Sequence, residues 1–282
     1  MNSPSILAGR DLHAIQQVVK WIVYALLIVN WGFYIVEDWD RALHTQDASS
    51  SLLDWAGEFA TSIDESGWII LLFMFELETY ILEDEDMAGW VSKAIHTARL
   101  ACFLMILHTV YAFAVTVIEY EPTVPVENAT TLCDLVDDDF SYVYNLEYTE
   151  ITEQSCSGLS EANLFYMVGE DPVVATQEGL QLERQLAWGD LVEVIMWLVI
   201  IAAIEVVVRL QDRNITEGRA ISVANRLKLL AYLVLIALAA WWGWLSHWLY
   251  TWDTFVWIAG FAAIEMNINE WREEIEEEIE LA

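Results

Sequence analysis

The feature that most constrains the fold is a series of long apolar blocks, separated by segments that hold most of the charges. The six blocks are Val18–Val36, Gly67–Leu82, Leu100–Ile118, Leu191–Leu210, Leu227–Tyr250 and Phe255–Ile268. A helix of roughly 20 apolar residues crosses the hydrocarbon core of a bilayer. The second and sixth blocks are short and contain glutamates, so each crosses only if its helix continues past those charges. The sequence predicts an all-α, multi-pass membrane protein with about six transmembrane helices.

The basic residues predict how these helices are oriented. Cytoplasmic loops of membrane proteins are enriched in Lys and Arg. If the N-terminus is cytoplasmic and all six blocks cross, only Arg41 and Arg184 lie outside. The predicted cytoplasmic set is Arg10, Lys20, Lys93, Arg99, Arg209, Arg213, Arg219, Arg226, Lys228 and Arg272. We therefore expect a protein of the inner (plasma) membrane with both termini cytoplasmic and the loop 119–190 outside.

This topology groups the chain into three helical hairpins, at 1–92, 93–219 and 220–282. The second hairpin includes a small acidic outer domain, 119–190, which holds Cys133 and Cys156. Outside the membrane these cysteines are expected to form a disulfide worth about 3 kcal/mol. Cys102 lies inside the third block and is predicted to remain a free, apolar thiol.

A spaced pattern of an acid, a tryptophan and a glutamate recurs in the second helix of each hairpin. It reads Asp64-x3-Trp68-x7-Glu76, then Glu193-x3-Trp197-x7-Glu205, then Asp253-x3-Trp257-x7-Glu265. Identical spacing is typical of a duplicated unit, and it predicts a pseudo-threefold internal repeat. Tryptophan favours the membrane interface, so the three rings are expected to be outer anchors. Each glutamate then lies about 12 Å deeper, at 1.5 Å per residue.

Carboxylates at that depth point to ion chemistry. An ionised carboxylate in hydrocarbon must be paired, protonated or hydrated, because its insertion costs several kcal/mol. If the hairpins pack around one axis, Glu76, Glu205 and Glu265 would converge and bind a cation or share protons. Glu78 lies two positions from Glu76 and adds a fourth candidate.

His108, near the centre of the third block, is the histidine best placed to pass a proton. Structural alternatives exist for each of these residues. Glu205 has Arg209 one helical turn away as an ion-pair partner. Each glutamate would also be stable at the end of its hydrophobic stretch by extending its carboxylate towards water. His108 would serve equally well as a hydrogen-bond donor to a neighbouring helix.

The net charge of −32 restricts the partners. It excludes nucleic acid and anionic headgroups as attractive ligands, and it would concentrate cations near a pore. An acidic surface suited to a salty habitat explains the same charge. No cofactor is predicted beyond a bound monovalent or divalent cation. The acidic C-terminal segment Glu270–Glu280 has a thin apolar stripe suited to docking against another helix or subunit.

Two functions remain open after these observations. The first is a cation or proton channel or transporter, and the unbroken helices favour a channel within this class. The alternative is a non-catalytic accessory or scaffold subunit of a membrane complex, since Trp-rich surfaces suit protein contacts. Either would reside in a lipid bilayer as a homo-oligomer or with other membrane subunits. An enzyme is not expected, because the sequence has no plausible nucleophile–base pair.

Overall fold

In a computed structural model, the backbone is described for residues 5–47, 49–80, 89–211, 213, 215–262 and 265, and the side chains from residue 18 onward except 78–80. The chain is mainly helical. The helices are α1 (Ser5–Thr45), α2 (Leu52–Glu58), α3 (Ala60–Tyr80), α4 (Trp90–Tyr120), α5 (Cys156–Leu159), α6 (Gln177–Gln211), α7 (Arg219–Trp244) and α8 (248–262). Pro122, Pro125 and Pro172 lie outside these helices, so a missing proline donor does not interrupt the helical hydrogen bonds.

Four of the helices are long and apolar enough to cross a membrane. They are α1 from Val18 onward, α4, α6 and α7. Large apolar side chains are exposed along them, for example Leu104 and Leu107 on α4 and Leu229 and Leu230 on α7. Since such a surface is unfavourable in water, these helices indicate a membrane protein. Among the described residues, α3 and α8 are helical over their predicted blocks but do not meet the same criterion.

The structure divides into two compact units, residues 1–30 with 195–282 (unit 1) and residues 31–194 (unit 2). Within unit 2, α3 and α4 form an antiparallel helical hairpin. The hydroxyl of Thr109 donates a 3.1 Å hydrogen bond to the carbonyl of Ala60. Further along, a Cβ added to Gly67 would lie 3.3 Å from the carbonyl oxygen of Cys102. Glycine at position 67 therefore allows the two helices to approach closely.

The part of unit 2 between α4 and α6 contains a four-stranded mixed sheet. Its strands are β1 (Ser141–Tyr144), β2 (Glu147–Glu150), β3 (Tyr166–Met167) and β4 (Val173–Ala175), in the order β2-β1-β4-β3. β1 pairs with β2 and β3 with β4 in antiparallel fashion, and β1 with β4 in parallel. The all-α prediction omitted this sheet, because strands of two to four residues are too short to show an alternating pattern.

The disulfide of the outer domain is confirmed. Cys133 and Cys156 are bonded, with their Cα atoms 4.9 Å apart. They join the 3-10 helix Leu132–Leu135 to α5 over a cluster of buried side chains. Cys102 is buried and free, also as predicted. The segment between α4 and α6 covers residues 121–176, because α4 continues to Tyr120 and α6 already begins at Gln177, and the outer domain 119–190 stays a prediction.

In unit 1, each helix contacts the next one along the chain, α6 with α7 and α7 with α8. Between α6 and α7 the buried residues are Ala203, Val207, Ile221 and Ala224. Between α7 and α8, the Thr251 hydroxyl donates a 2.8 Å hydrogen bond to the carbonyl of Ala239. The acidic segment Glu270–Glu280, predicted to dock against a partner, lies outside the described residues.

Candidate functional site

The three tryptophans of the repeat pattern share one environment, which differs from the predicted one. Trp68, Trp197 and Trp257 are all buried within the protein. The Trp68 indole donates a 3.0 Å hydrogen bond to Asp64, one turn earlier on α3. In unit 1, Phe261 lies 5.4 Å from the Trp197 ring and 6.2 Å from the Trp257 ring. In unit 1 the Trp197 ring of α6 thus packs with Phe261 of α8, and all three tryptophans are buried where exposed membrane anchors were predicted.

The acids at the start of the pattern have different environments. Asp253 is buried and accepts a 2.7 Å hydrogen bond from the side-chain amide of Asn30, which links α1 to α8. Asp64 is bonded to its own tryptophan, and Glu193 is half-buried on α6. The threefold repeat therefore remains a prediction from the sequence.

The glutamates at the end of the pattern also differ. Glu205 is exposed and lies 2.5 Å from Arg209, the ion pair that was the structural alternative for this residue. Glu265 lies 2.7 Å from the amine of Lys228 and accepts a 2.8 Å hydrogen bond from the Tyr232 hydroxyl. Glu76 is half-buried on α3, and the Glu78 side chain lies outside the described residues. The two pattern glutamates in unit 1, Glu205 and Glu265, therefore each have a basic partner.

The helix contacts place His108 well away from Glu76. His108 precedes Thr109, which is bonded to Ala60, so the histidine is level with the first turn of α3. Glu76 is 16 positions beyond Ala60, or about 24 Å along the helix axis. A direct proton transfer between the two is therefore not possible in this arrangement. Both ring nitrogens of His108 are buried, and neither has a hydrogen-bond partner within the described part of the chain.

A partly buried group of charges in unit 2 was not predicted. We call it the acid–arginine network, and it consists of Asp38, Arg41, Glu58 and Ser62. The Arg41 guanidinium lies 3.1 Å from Asp38 and 2.8 Å from Glu58, and it also donates to the Glu58 carbonyl. The second Asp38 oxygen accepts hydrogen bonds from the Ser62 amide, at 2.9 Å, and from the Ser62 hydroxyl, at 2.6 Å. One guanidinium is thus shared by two carboxylates.

Local sequence explains how the network is assembled. Asp38 and Arg41 are three residues apart on α1, so their side chains lie on the same helix face. Ser51 and Asp54 form a capping box at the start of α2, in which each side chain accepts a hydrogen bond from the other residue's backbone amide. The capping box fixes the first turn of α2, and Glu58 is the last residue of the same short helix.

A further buried carboxylate lies where α6 meets the sheet. Glu183 is 1% exposed, and its Oε1 accepts a 3.2 Å hydrogen bond from the Leu146 amide in the β1–β2 turn. Asn145 and Leu146 have positive φ, typical of the tight turn that joins two antiparallel strands. The other oxygen, Oε2, has no hydrogen-bond partner among the residues that the structure describes. Such a buried acceptor is unusual and requires an explanation.

Aromatic and polar side chains connect Glu183 to the acid–arginine network. Burial raises the pKa of Tyr148, and the negative charge of Glu183 raises it further. The same phenol interacts electrostatically with Arg41 and Glu58. His44 stacks on Tyr148 with ring centroids 5.9 Å apart, and its Nδ1 lies 2.8 Å from the Ser141 hydroxyl. These contacts attach the end of α1 to the sheet.

The network also influences a loop residue, Asp171. Burial raises the pKa of Asp171 to about 7, and the nearby carboxylates of Glu58, Glu119 and Asp54 contribute, while Arg41 opposes the shift. This aspartate therefore changes its protonation state near neutral pH. Asp171, Glu58, Glu119, Asp54 and Arg41 are thus electrostatically coupled within unit 2.

This site could have been found in the sequence from Arg41 and Arg184, the two basic residues predicted to lie outside the membrane. Arg41 is the centre of the network. Arg184 donates hydrogen bonds of 2.6 Å and 2.7 Å to the carbonyls of Tyr120 and Glu121 at the end of α4, and one of 2.7 Å to the Thr123 hydroxyl. Arginines that are rare in an acidic segment are expected to hold carboxylates or helix ends.

The arrangement is suited to holding protons or a weakly bound cation. Within the described ranges, no group of three or more His, Cys, Asp or Glu side chains has the spacing of a metal site.

Comparison with protein-family models, with curated proteins and with solved structures finds no match to this chain. The functional argument therefore depends on the chemistry of these residues.

Proposed function

We propose that this multi-pass membrane protein provides a pathway for protons or small cations, and that Glu183 and the acid–arginine network form its outer holding site. The observation that carries the proposal is the buried Glu183 carboxylate, which has one oxygen without a hydrogen-bond partner in the described part of the chain. A buried carboxylate is costly unless a proton, a cation or a full set of donors compensates its charge.

The surrounding charges strengthen this argument. Asp38 and Glu58 share the single guanidinium of Arg41, so the network itself has an excess of negative charge when both acids are ionised. The acidic surface of the whole chain would raise the local concentration of cations around such a site. Protons or small monovalent or divalent cations are therefore the ligands that this chemistry favours.

The proposed pathway requires a topology with six crossings in three hairpins, in an inner (plasma) membrane. α3 has 21 residues and is about 31 Å long, which matches the hydrocarbon thickness of a bilayer. It also runs antiparallel to α4, a helix that meets the crossing criterion. If α3 crosses, the sheet and its disulfide lie on the opposite side from the N-terminus, in the oxidising environment that a structural disulfide favours.

A second candidate function is a non-catalytic scaffold or accessory subunit. The specific observation in its favour is that Glu205 and Glu265 are each compensated by a basic side chain, Arg209 and Lys228. Carboxylates neutralised in this way stabilise helices and need no transported ion. In this case the exposed apolar faces would contact other membrane subunits or further copies of the chain.

Flux measurements in proteoliposomes separate the two functions. Wild-type protein should dissipate an imposed proton or monovalent cation gradient, and Glu183→Gln should reduce that flux about tenfold, because the substitution removes the charge that holds the ion. Glu205→Gln is the matched control, since its exposed carboxylate already has Arg209 beside it. If wild-type protein showed no flux under any imposed gradient, the pathway proposal would be wrong.

The mass of the detergent-solubilised particle provides an independent test. A pathway formed by this chain alone should purify as a monomer or as a homo-oligomer of constant size. A stoichiometric second polypeptide that remains bound through purification, together with no flux, would favour the scaffold function.

A further inference from the structure

The outer segment of unit 2 contains a short motif that the proposed function does not use. Asn128-Ala129-Thr130 matches the Asn-x-Ser/Thr acceptor motif for N-glycosylation. A second copy occurs at Asn214-Ile215-Thr216, between α6 and α7. Because the motif is short, it arises by chance in many proteins, and its structural context decides whether it is used.

The context of Asn128 fits an acceptor. The residue lies in a turn, its side chain is exposed, and its backbone has a positive φ of 63°. The next residue, Ala129, is buried in the cluster that includes Leu132 and Cys156. Asn128 is therefore presented at the surface by a turn that is attached to the domain core. A large hydrophilic modification at this point would displace no packed side chain.

The remainder of the motif lies on the same firmly held segment. The Thr130 backbone amide and hydroxyl donate hydrogen bonds of 2.9 Å and 3.0 Å to Asp134. Cys133, three residues after Thr130, is bonded to Cys156. A structural disulfide is characteristic of the oxidising, non-cytoplasmic compartment, which is also where N-glycosylation takes place.

We propose that Asn128 is an N-glycosylation site. The donor would be a sugar linked through its anomeric carbon to a lipid phosphate or pyrophosphate, and the catalyst a membrane oligosaccharyltransferase. The Asn128 Nδ2 forms a bond to the anomeric carbon and loses one proton to a base of the transferase. The bond between that carbon and the phosphate oxygen breaks, and the lipid phosphate leaves with the electron pair. No oxidation or reduction is involved.

This inference rests on the orientation given with the proposed function, and not on ion transport. The chain contains its own control. Asn128 precedes α6 and Asn214 follows it, and α6 meets the length and hydropathy criterion for crossing. The two asparagines are therefore separated by one crossing, and only Asn128 would meet the transferase.

The test is mass spectrometry of the full chain purified from the membranes of its own cells. Cleavage after glutamate releases peptide 128–147, which contains Asn128 and no other acceptor motif. The reduced peptide should carry additional hexose-type mass. That mass should be absent from Asn128→Gln and Thr130→Ala, but present in Thr130→Ser and Asn214→Gln. The Thr130→Ser variant retains both the motif and a hydroxyl that can bond to Asp134.

An unmodified wild-type peptide 128–147 overturns the proposal, and so does added mass that persists in Asn128→Gln. A glycan on Asn214 in place of Asn128 would overturn it as well, and would reverse the orientation. Correct folding of each variant is checked by an intact Cys133–Cys156 linkage. Proton or cation flux should be unchanged in Asn128→Gln, so loss of the glycan and loss of the transport function are separate outcomes.

Discussion

Each of the two units contains an arginine paired with a glutamate, but the pairs have different surroundings. In unit 2, Arg41 joins α1 to α2 and also binds Asp38, whose side chain is 5% exposed. In unit 1, Arg209 and Glu205 are four residues apart on one helix, with side chains 73% and 54% exposed. The Arg41–Glu58 pair links two helices and so stabilises tertiary structure, whereas the Arg209–Glu205 pair lies on the surface of one helix. Burial, more than distance, therefore determines what such a contact contributes.

The pair formed by Lys228 and Glu265 is as shielded as the pair formed by Arg41 and Glu58, with side chains 17% and 21% exposed against 26% and 16%, but Lys228 holds one carboxylate whereas Arg41 holds two. It connects α7 to the segment after α8, it is largely shielded, and Tyr232 supplies an additional hydrogen bond to the carboxylate. The three pairs therefore form a series: a shielded cation shared by two carboxylates, a shielded cation with one carboxylate, and an exposed pair on one helix. The predicted effects of breaking them should follow the same series.

The largest effect is expected for Arg41→Met. This variant leaves two shielded carboxylates without their guanidinium, and removing one partner of a buried ion pair costs about 3 kcal/mol. The free energy of unfolding, measured in detergent micelles or bicelles by denaturant titration, should fall by that amount. The triple variant Arg41→Met, Asp38→Asn, Glu58→Gln should recover most of the loss, because no unpaired charge remains. An Arg41→Met protein as stable as the wild type would contradict the buried network.

A smaller effect is expected for Lys228→Met. Glu265 would keep the hydrogen bond from Tyr232 but lose its cation, and for a partly shielded pair this costs about 1.5 kcal/mol. The same unfolding measurement applies. The control is the double variant Lys228→Met, Glu265→Gln, in which the neutral amide still accepts the tyrosine hydrogen bond. If the single and double variants were equally stable, the ion pair would have no energetic role.

The pH dependence of stability is expected to change in Asp171→Asn. The pKa of Asp171 is raised to about 7 by burial and by nearby acids, so the folded state binds a proton more tightly than the unfolded state. The associated stability is therefore complete below the unfolded pKa and is lost as the pH rises towards 7. In wild-type protein the loss between pH 5 and pH 7.5 should be about 1 kcal/mol, allowing for solvent screening of a partly exposed group. Asp171→Asn should remove this slope.

Asp134 provides the control, because its pKa is shifted in the opposite direction from that of Asp171. Backbone amides of Thr131 and Thr130 donate to its carboxylate and lower its pKa. Its contribution to stability is present above its unfolded pKa and is lost only in more acidic solution. Asp134→Asn should therefore leave the slope between pH 5 and pH 7.5 unchanged. Equal slopes in wild-type and Asp171→Asn protein would show that Asp171 does not titrate in this range.

The features that sequence predicted are those that depend on nearby residues. Four of the six apolar blocks correspond to helices long and apolar enough to cross, because hydropathy is a property of a continuous segment. The Glu205–Arg209 pair followed from a spacing of one helical turn. The Cys133–Cys156 bond followed because only two cysteines lie in the outer segment.

The features that sequence missed depend on pairing between distant segments. Arg41 and Glu58 are 17 residues apart, and Asp38 and Ser62 are 24 apart, so no local period reveals them. The separation of His108 from Glu76 was missed as well, because it depends on the contact of Thr109 with Ala60 on another helix. The sheet was missed because its strands are short and because β1 pairs in parallel with β4 across the intervening β2, α5 and β3.

The smallest effect is expected for Glu205→Gln, and it completes the series. An exposed pair on one helix contributes about 0.3 kcal/mol, because water and salt screen it and the long side chains lose entropy on pairing. The free energy of unfolding should therefore hardly change, and the small difference should disappear at high salt. A loss comparable with that of Arg41→Met would mean that Glu205 is enclosed by another molecule in the membrane. That result would favour a subunit interface on α6 and hence the scaffold function.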